Sequence, residues 1–233
     1  MIVRPAGSDL HLITQPDHAR LARAIMERCV PLAAEPRRAE ILHAIGEHDN
    51  GWAEEDAAPT VDTATGRVVD FISAPLAVRH AVWPRAVARL AAAPWAAALV
   101  AEHALTVYDR FRGDAEWAPL FAKMEGARAD MLRAGGLPPG DLLADYRYVR
   151  LADLISLTFC TGWTDEQRFG GWVVRLAGTH VLVAPDPFGG ADIPIDIAAR
   201  TIPNRSYRSD ADLRDALRAA RRTTLRGAAS GPS

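Results

Sequence analysis

The stretch VRLADLISLTFC, residues 149–160, constrains the fold of this chain most strongly. Its residues are apolar on nearly every face of a helix, and such a helix is usually central and covered on all sides. One carboxylate, Asp153, stands in the middle of the stretch. Because burial of a lone carboxylate costs several kcal/mol, we expect Asp153 to be paired with a cation, protonated or bound to a metal ion.

Helical periodicity dominates the chain up to this stretch, and strand periodicity follows it. Helices are predicted at about residues 16–30, 37–48, 76–92, 95–111, 114–134 and 141–160. After Gly162, GWVVRLAG and HVLVAPDPF predict two strands joined by a Gly-Thr turn, followed by a short strand IPIDIAA and a helix over 210–222. HLIT, near the N-terminus, is either a strand or an extended arm. The pattern predicts a mainly α fold with a small antiparallel β element and a closing helix at the C-terminus.

The composition is that of an ordinary soluble chain with enough length for a sizeable core, since 49% of its 233 residues are hydrophobic. A net charge of -2 gives no electrostatic reason to expect nucleic acid or an anionic membrane surface as a partner. The N-terminus lacks a signal segment, and no apolar run reaches the roughly 18 residues that span a bilayer. Cys29 and Cys160 show no paired spacing. We therefore expect a cytoplasmic protein without a membrane segment.

Histidines and aspartates share the apolar stripes of three further helices. Residues three, four and seven apart lie on one face of a helix, and this places His18 and His103 among the apolar residues of their own helices. The adjacent pair His48-Asp49 continues the apolar face at the end of helix 37–48. With Asp153, these residues predict a set of inward-facing polar side chains on separate helices.

Each of these residues also has a plainer interpretation. A single buried histidine is more often a hydrogen-bonded core residue than a ligand, and a single buried aspartate most often has an ion-pair partner. Arg147 or Arg150 could serve Asp153 in this way. Taken together, however, imidazoles and carboxylates that converge from several helices form the ligand set for Fe, Mn, Zn or a related divalent ion. The set predicts a metal site.

The order His18, then His48-Asp49, then Asp153 resembles the HD-domain superfamily of metal-dependent phosphohydrolases. The motif of that superfamily is a histidine, an adjacent His-Asp pair on the next helix and a distant aspartate on a late helix. The spacing of about thirty residues between His18 and His48 and the ADLIS setting of Asp153 carry the resemblance, which covers residues 16–162. The whole chain, with QPDHARL, EHDNGW and APDPF, also resembles a bacterial family of unknown function.

The superfamily resemblance implies an HD-domain-like helical bundle and a divalent transition metal (Mn, Fe, Zn, Co or Ni), as one or two ions. The pattern along the sequence divides the chain into three segments: a helical metal-binding domain at 1–162, a small β element with a C-terminal helix at 163–226, and a tail at 227–233 that we expect to be disordered.

The ligands that the resemblance implies are His18, His48, Asp49 and Asp153. In a two-ion site, Asp49 would bridge the ions and His103 would complete the second one; His80 lies in the same interval but is less well placed. The candidate catalytic residues are Asp49 and Glu47, although Glu47 is better explained as a solvated helix residue.

One position departs from the superfamily pattern. Several members carry a lysine that contacts substrate shortly after the His-Asp pair, whereas the run here is HDNGW, with Trp52 in that place. Contact with a phosphate would then fall to an arginine such as Arg20 or Arg150. Trp52 would wall a pocket, stack on a base or simply pack in the core.

The resemblance implies a divalent-metal-dependent hydrolase whose partner is a small, phosphorylated or nucleotide-like molecule. Two alternatives remain open: a di-iron oxygenase of a small polar substrate, as in some members of the superfamily, and a non-catalytic module that binds a metal or a ligand. Iron content with dioxygen uptake would favour the oxygenase, and metal-dependent release of phosphate would favour hydrolysis.

Overall fold

A computed structural model of the chain describes residues 1–232. The helices are α1 (Gln15–Met26), α2 (Val30–Ala33), α3 (Arg38–Glu47), α4 (Ala53–Ala57), α5 (Leu76–Arg89), α6 (Pro94–Val107), α7 (Ala118–Ala134), α8 (Leu142–Thr161) and α9 (Asp210–Arg218). The strands are β1 (Ile2–Ala6), β2 (Asp9–Ile13), β3 (Gln167–Phe169), β4 (Trp172–Ala177), β5 (His180–Ala184), β6 (Ile193–Pro203) and β7 (Arg221–Ser230).

The long helices begin and end close to where the sequence predicts them. α1 begins behind Thr14, whose side chain accepts a hydrogen bond from the backbone N–H of Asp17, and Pro16 occupies its first turn. α8 ends at Gly162, which adopts the left-handed conformation (φ 75°) that favours glycine. The apolar stretch of α8 is buried on nearly all sides, as expected. No helix among residues 1–232 combines the length and apolar character needed to span a bilayer.

All seven strands lie in one curled sheet, in the order β1-β2-β6-β7-β5-β4-β3. Neighbouring strands are antiparallel except β5 and β7, which are parallel. With 49% of the chain helical and 20% in strands, the fold is mixed α/β. The predicted mainly α class and HD-domain-like helical bundle are therefore wrong.

Two features of the sheet explain this error. The N-terminal hairpin of β1 and β2 pairs with β6 near the other end of the chain, so strands from both sides of residue 162 share one sheet. The predicted final helix ends early, at Arg218, and β7 follows it through Ser230, including residues that were predicted to be a disordered tail; residue 233 lies outside the described residues. Arg, Thr and small residues give β7 no strong local signal, and its long pairing with β6 supplies the missing stabilisation.

The two faces of the sheet carry different cores. Along β6, Ile193, Ile195 and Ile197 are buried in the main core with the helices, and exposed residues alternate with them. Leu12 and Leu213 belong to a smaller core on the side of the sheet that α9 covers. The helical layer that holds His18, His48 and Asp153 thus lies against one face of the sheet only.

Candidate metal centre

Four helices bring the predicted ligands together in the protein interior. His18 lies on α1, His48 and Asp49 follow the last turn of α3, His103 lies on α6, and Asp153 lies on α8. All five residues are buried, with at most 6% of their surface exposed. Each continues the apolar stripe of its helix, which explains why the helical packing turns them inward.

Four donor atoms surround a common point. His18 Nε2 lies 3.2 Å from His48 Nε2 and 3.2 Å from Asp153 Oδ1. Asp49 Oδ2 lies 3.5 Å from both of these histidine nitrogens, and His48 Nε2 lies 3.5 Å from Asp153 Oδ1. Ligands held about 2.1 Å from one ion are about 3.4 Å apart in a tetrahedron and about 3.0 Å apart in an octahedron. The measured spacings are therefore those of a coordination shell.

The outer nitrogens of both histidines are held by hydrogen bonds. His48 Nδ1 lies 2.7 Å from the carbonyl oxygen of Ile45, so this nitrogen carries the proton. His18 Nδ1 lies 2.8 Å from Ser156 Oγ, and Ser156 donates its own proton to the carbonyl oxygen of Ala152. The serine oxygen therefore accepts from His18 Nδ1–H. Both Nε2 atoms then face the common point, where each can hydrogen-bond Asp153 when it carries a proton and can offer its lone pair to a metal ion when it does not.

The buried charges of the centre shift one another's pKa values. Burial opposes ionisation of Asp153, but hydrogen bonds from His18 and His48 outweigh it and hold the pKa of Asp153 well below its usual range. Burial likewise lowers the pKa of His48, but the carboxylates of Asp49 and Asp153 outweigh it and raise this pKa to about 9. Burial raises the pKa of Asp49. The two carboxylates thus stabilise positive charge on His48.

The arginine that could pair with Asp153 is Arg150, which donates to Asp153 Oδ2. Arg147 instead contacts Glu35 and the hydroxyl of Tyr148. The ion-pair interpretation of Asp153 therefore holds for one of its oxygens. The other oxygen, Oδ1, belongs to the four-donor set.

His103 lies at the edge of the centre, towards solvent. Its Nε2 is 3.8 Å from Asp153 Oδ2, its Nδ1 is 3.2 Å from the hydroxyl of Tyr146, and burial lowers its pKa well below the usual value. A second set of three residues, His48, His103 and Asp153, also lies close enough together to hold an ion, but it shares His48 with the first set, and Asp153 Oδ2 already accepts from Arg150. The described geometry accordingly fits one ion better than two.

The other predicted residues lie apart from the donor set. One step along a helix turns a side chain by about 100°, so Glu47 points away from the direction of His48. Its carboxylate accepts a hydrogen bond from the side chain of Asn50, 3.0 Å away. His80 packs edge-on against Trp117. Arg20 is exposed and pairs with Asp17. Trp52 is buried and lines the cavity above the centre.

That cavity has a volume of about 340 Å³ and reaches Asp49, His103 and Asp153 at its floor. Three arginines (Arg79, Arg110 and Arg150) and five aromatic side chains (Trp52, Phe71, Trp83, Tyr108 and Trp163) contribute to its walls. Sequence reasoning missed Arg79 and Arg110. Arg110 lies just beyond the end of α6, the helix of His103, and that proximity was the available signal.

Residues 1–204 match a family described as "Protein of unknown function (DUF3891)". The chain belongs to this family. No curated protein and no solved structure gives a significant match to the chain. Assignment to the HD-domain superfamily is therefore wrong, because the family that matches is another one and a curled seven-stranded sheet replaces the expected bundle.

Proposed function

We propose that this protein is a divalent-metal-dependent enzyme that hydrolyses a phosphoester bond in a small anionic molecule. The observation that carries the proposal is a set of four buried donor atoms at the floor of an arginine-lined cavity, with five of the distances between them in the range 3.2–3.5 Å. One ion held by His18, His48, Asp49 and Asp153 accounts for the spacing and for the direction of both histidine lone pairs.

Charge balance supports a cation at this point. Two buried carboxylates, Asp49 and Asp153, stand near one guanidinium, Arg150, in a region of low dielectric. Two imidazole nitrogens that face each other at 3.2 Å with their lone pairs repel unless a proton or a metal ion lies between them. A divalent ion would balance the charge of the two carboxylates and would also remove the repulsion between the two imidazole nitrogens. A ligand set of nitrogen and oxygen atoms suits Mn, Fe, Zn, Co or Ni.

The walls of the cavity support an anionic substrate. Arg110 makes no ion pair with a carboxylate of residues 1–232, and its guanidinium carbon lies 4.6 Å from the ring centre of Phe111. Arg79 contributes a second guanidinium. Guanidinium groups bind phosphate oxygens through paired hydrogen bonds, while aromatic walls such as Trp52 and Trp163 suit a flat organic part. A nucleotide-like phosphoester combines both features.

A bound divalent ion would supply a water of lowered pKa and polarise a phosphoryl oxygen. Asp49 can contribute Oδ2 to the ion and use its other oxygen to accept the proton of the attacking water. Arg110 and Arg79 would orient the phosphate, and Arg150 would hold Asp153 in place through Oδ2. The aromatic walls, of which Trp52 and Trp83 are buried, would limit access of bulk water.

The decisive experiment is elemental analysis of protein purified without chelators and without nickel affinity resin. We expect about one divalent ion per chain in wild type and a loss of that ion in His48→Ala. His43→Ala is the control and should keep the ion, because His43 is an exposed histidine of α3. Metal-loaded wild type should release phosphate from some member of a panel of phosphoesters and nucleotides.

Three outcomes would contradict the proposal. If wild type contains no metal and its melting temperature does not depend on chelators, the protein has no metal centre. Iron with uptake of dioxygen would replace hydrolysis by oxygenation. A metal-loaded protein that leaves the whole panel intact would indicate a module that binds a ligand without catalysis.

A further inference from the structure

A second cavity, on the sheet face that α9 covers, is rich in arginine. Its volume is about 580 Å³, and its wall includes Arg200, Arg214, Arg218 and Arg222. It shares no lining residue with the cavity above the metal centre. We propose that this second cavity binds a small phosphate-bearing polyanion, independently of the metal centre.

The register of the sheet forces two of these arginines together. Arg200 on β6 stands directly opposite Arg222 on β7. Like charges in directly opposite positions of an antiparallel pair are destabilising. Four residues along the same two strands, Asp196 stands opposite Arg226, and these side chains form an ion pair at 3.1 Å. Along the same two strands, the Asp196–Arg226 pair is therefore neutral, whereas the Arg200–Arg222 pair carries two positive charges.

Nearby carboxylates of residues 1–232 leave three of the four arginines of the cavity without an ion-pair partner. Within the part of the chain that the structure describes, Arg200, Arg214 and Arg222 make no ion pair, and Arg218 pairs with Asp215. The wall contains two carboxylates, but both have other partners. Asp17 accepts from Thr14 and Arg20, and Asp56 accepts from the backbone N–H of Gln15 at 2.5 Å.

The guanidinium groups of the wall favour a ligand that carries phosphate groups. Several guanidinium groups around one cavity match the several oxygens of a diphosphate or a phosphate ester, each of which accepts paired hydrogen bonds. Leu12 and Leu217 add apolar surface at the same place. The four arginines are exposed and line one cavity beside α9 and the sheet, and this local cluster favours a small ligand over an extended nucleic acid.

The test is to titrate inorganic pyrophosphate against wild type, Arg222→Gln and Arg175→Gln at constant ionic strength, following melting temperature and calorimetric affinity. Arg175 is an exposed residue of β4 outside the cavity, so its variant carries the same change of charge. We expect pyrophosphate to stabilise wild type and Arg175→Gln and to bind Arg222→Gln at least about tenfold more weakly. Without pyrophosphate, Arg222→Gln should melt about 1–3 °C higher than wild type, because repulsion from Arg200 is relieved.

Pyrophosphate also binds divalent ions, so the titration is repeated in the His48→Ala background. A response that persists there supports a separate site even if the metal centre proves to be absent, whereas a response that disappears there assigns the effect to the metal centre and overturns the proposal. Equal responses of Arg222→Gln and Arg175→Gln, or no response of wild type, would overturn it as well. So would tighter binding of a short single-stranded oligonucleotide that depends on Arg222.

Discussion

His18 Nε2 and His48 Nε2 lie 3.2 Å apart in the buried interior, although thirty positions separate the two residues in the chain. Each ring is fixed from behind, His18 by Ser156 and His48 by the carbonyl oxygen of Ile45. Neither ring can therefore turn its Nε2 away without losing a buried hydrogen bond. The contact supports the proposed cation site, and it leads to predictions about the residues around it.

Ser156→Ala should weaken metal binding without unfolding the protein. The substitution removes the acceptor of His18 Nδ1–H, and loss of such an outer partner typically lowers metal affinity about 10–100-fold. Competition with a chromophoric chelator measures the affinity. Thr158→Val is the control, since Thr158 is buried on the same helix and its hydroxyl has no hydrogen-bond partner in the described residues. Equal affinities in the two variants would contradict the orienting role of Ser156.

Arg110→Ala should impair the use of substrate while leaving the metal content unchanged. Arg110 lines the cavity and has no carboxylate partner in residues 1–232, so its guanidinium is available to a phosphate. We expect kcat/KM for a hydrolysed phosphoester to fall about 10–100-fold, chiefly through KM. Arg112→Ala is the control, because Arg112 pairs with Asp109 and Glu125 outside the cavity. A loss of metal in Arg110→Ala, or an equal loss of activity in both variants, would speak against this role.

Gly51→Ala should destabilise the segment that follows the His-Asp pair. A Cβ atom on Gly51 would lie 2.0 Å from the carbonyl oxygen of Val82, so α5 would have to move. We expect a loss of about 1–3 kcal/mol in the free energy of unfolding, measured in urea. Gly126→Ala should have the opposite sign, a gain of about 0.5–1 kcal/mol, because Gly126 lies inside α7 with open space around it. A neutral Gly51→Ala would mean that α5 does not pack as described.

Removal of β7 should abolish cooperative folding. A variant that ends at Ala220 loses the strand that pairs with β6 along nine positions and also with β5, and two strand edges in the middle of the sheet become exposed. A variant that ends at Ser230 should have a free energy of unfolding within about 0.5 kcal/mol of the wild-type value. Circular dichroism during thermal unfolding distinguishes the two. Cooperative melting of the shorter variant at the wild-type temperature would mean that the sheet does not depend on β7.

Much of the candidate site could be predicted from helix periodicity. His18, His103 and Asp153 stand at positions that share a face with apolar residues, so burial of the helix face buries them too. The sequence offered Arg147 or Arg150 as a partner of Asp153, and the structure pairs Asp153 with Arg150. Glu47 lies apart from the donor set and contacts Asn50, because adjacency in the chain does not imply a shared face on a helix. Arg79 was out of reach, since nothing local links α5 to the cavity, whereas the position of Arg110 just beyond α6 was a weak local signal.

By itself, the sequence determined the long helices, the β4–β5 hairpin and the inward direction of the histidines and aspartates. These features depend on periodicity, capping and turn residues within a few positions of one another. Only the tertiary structure decided that β1 and β2 join β6, that β7 is a central strand, and that Arg200 faces Arg222. Strand pairing joins backbone groups across any separation in the chain, and its free energy depends on the partner strand more than on local residues. For that reason the donor residues were predictable, whereas the sheet behind them was not.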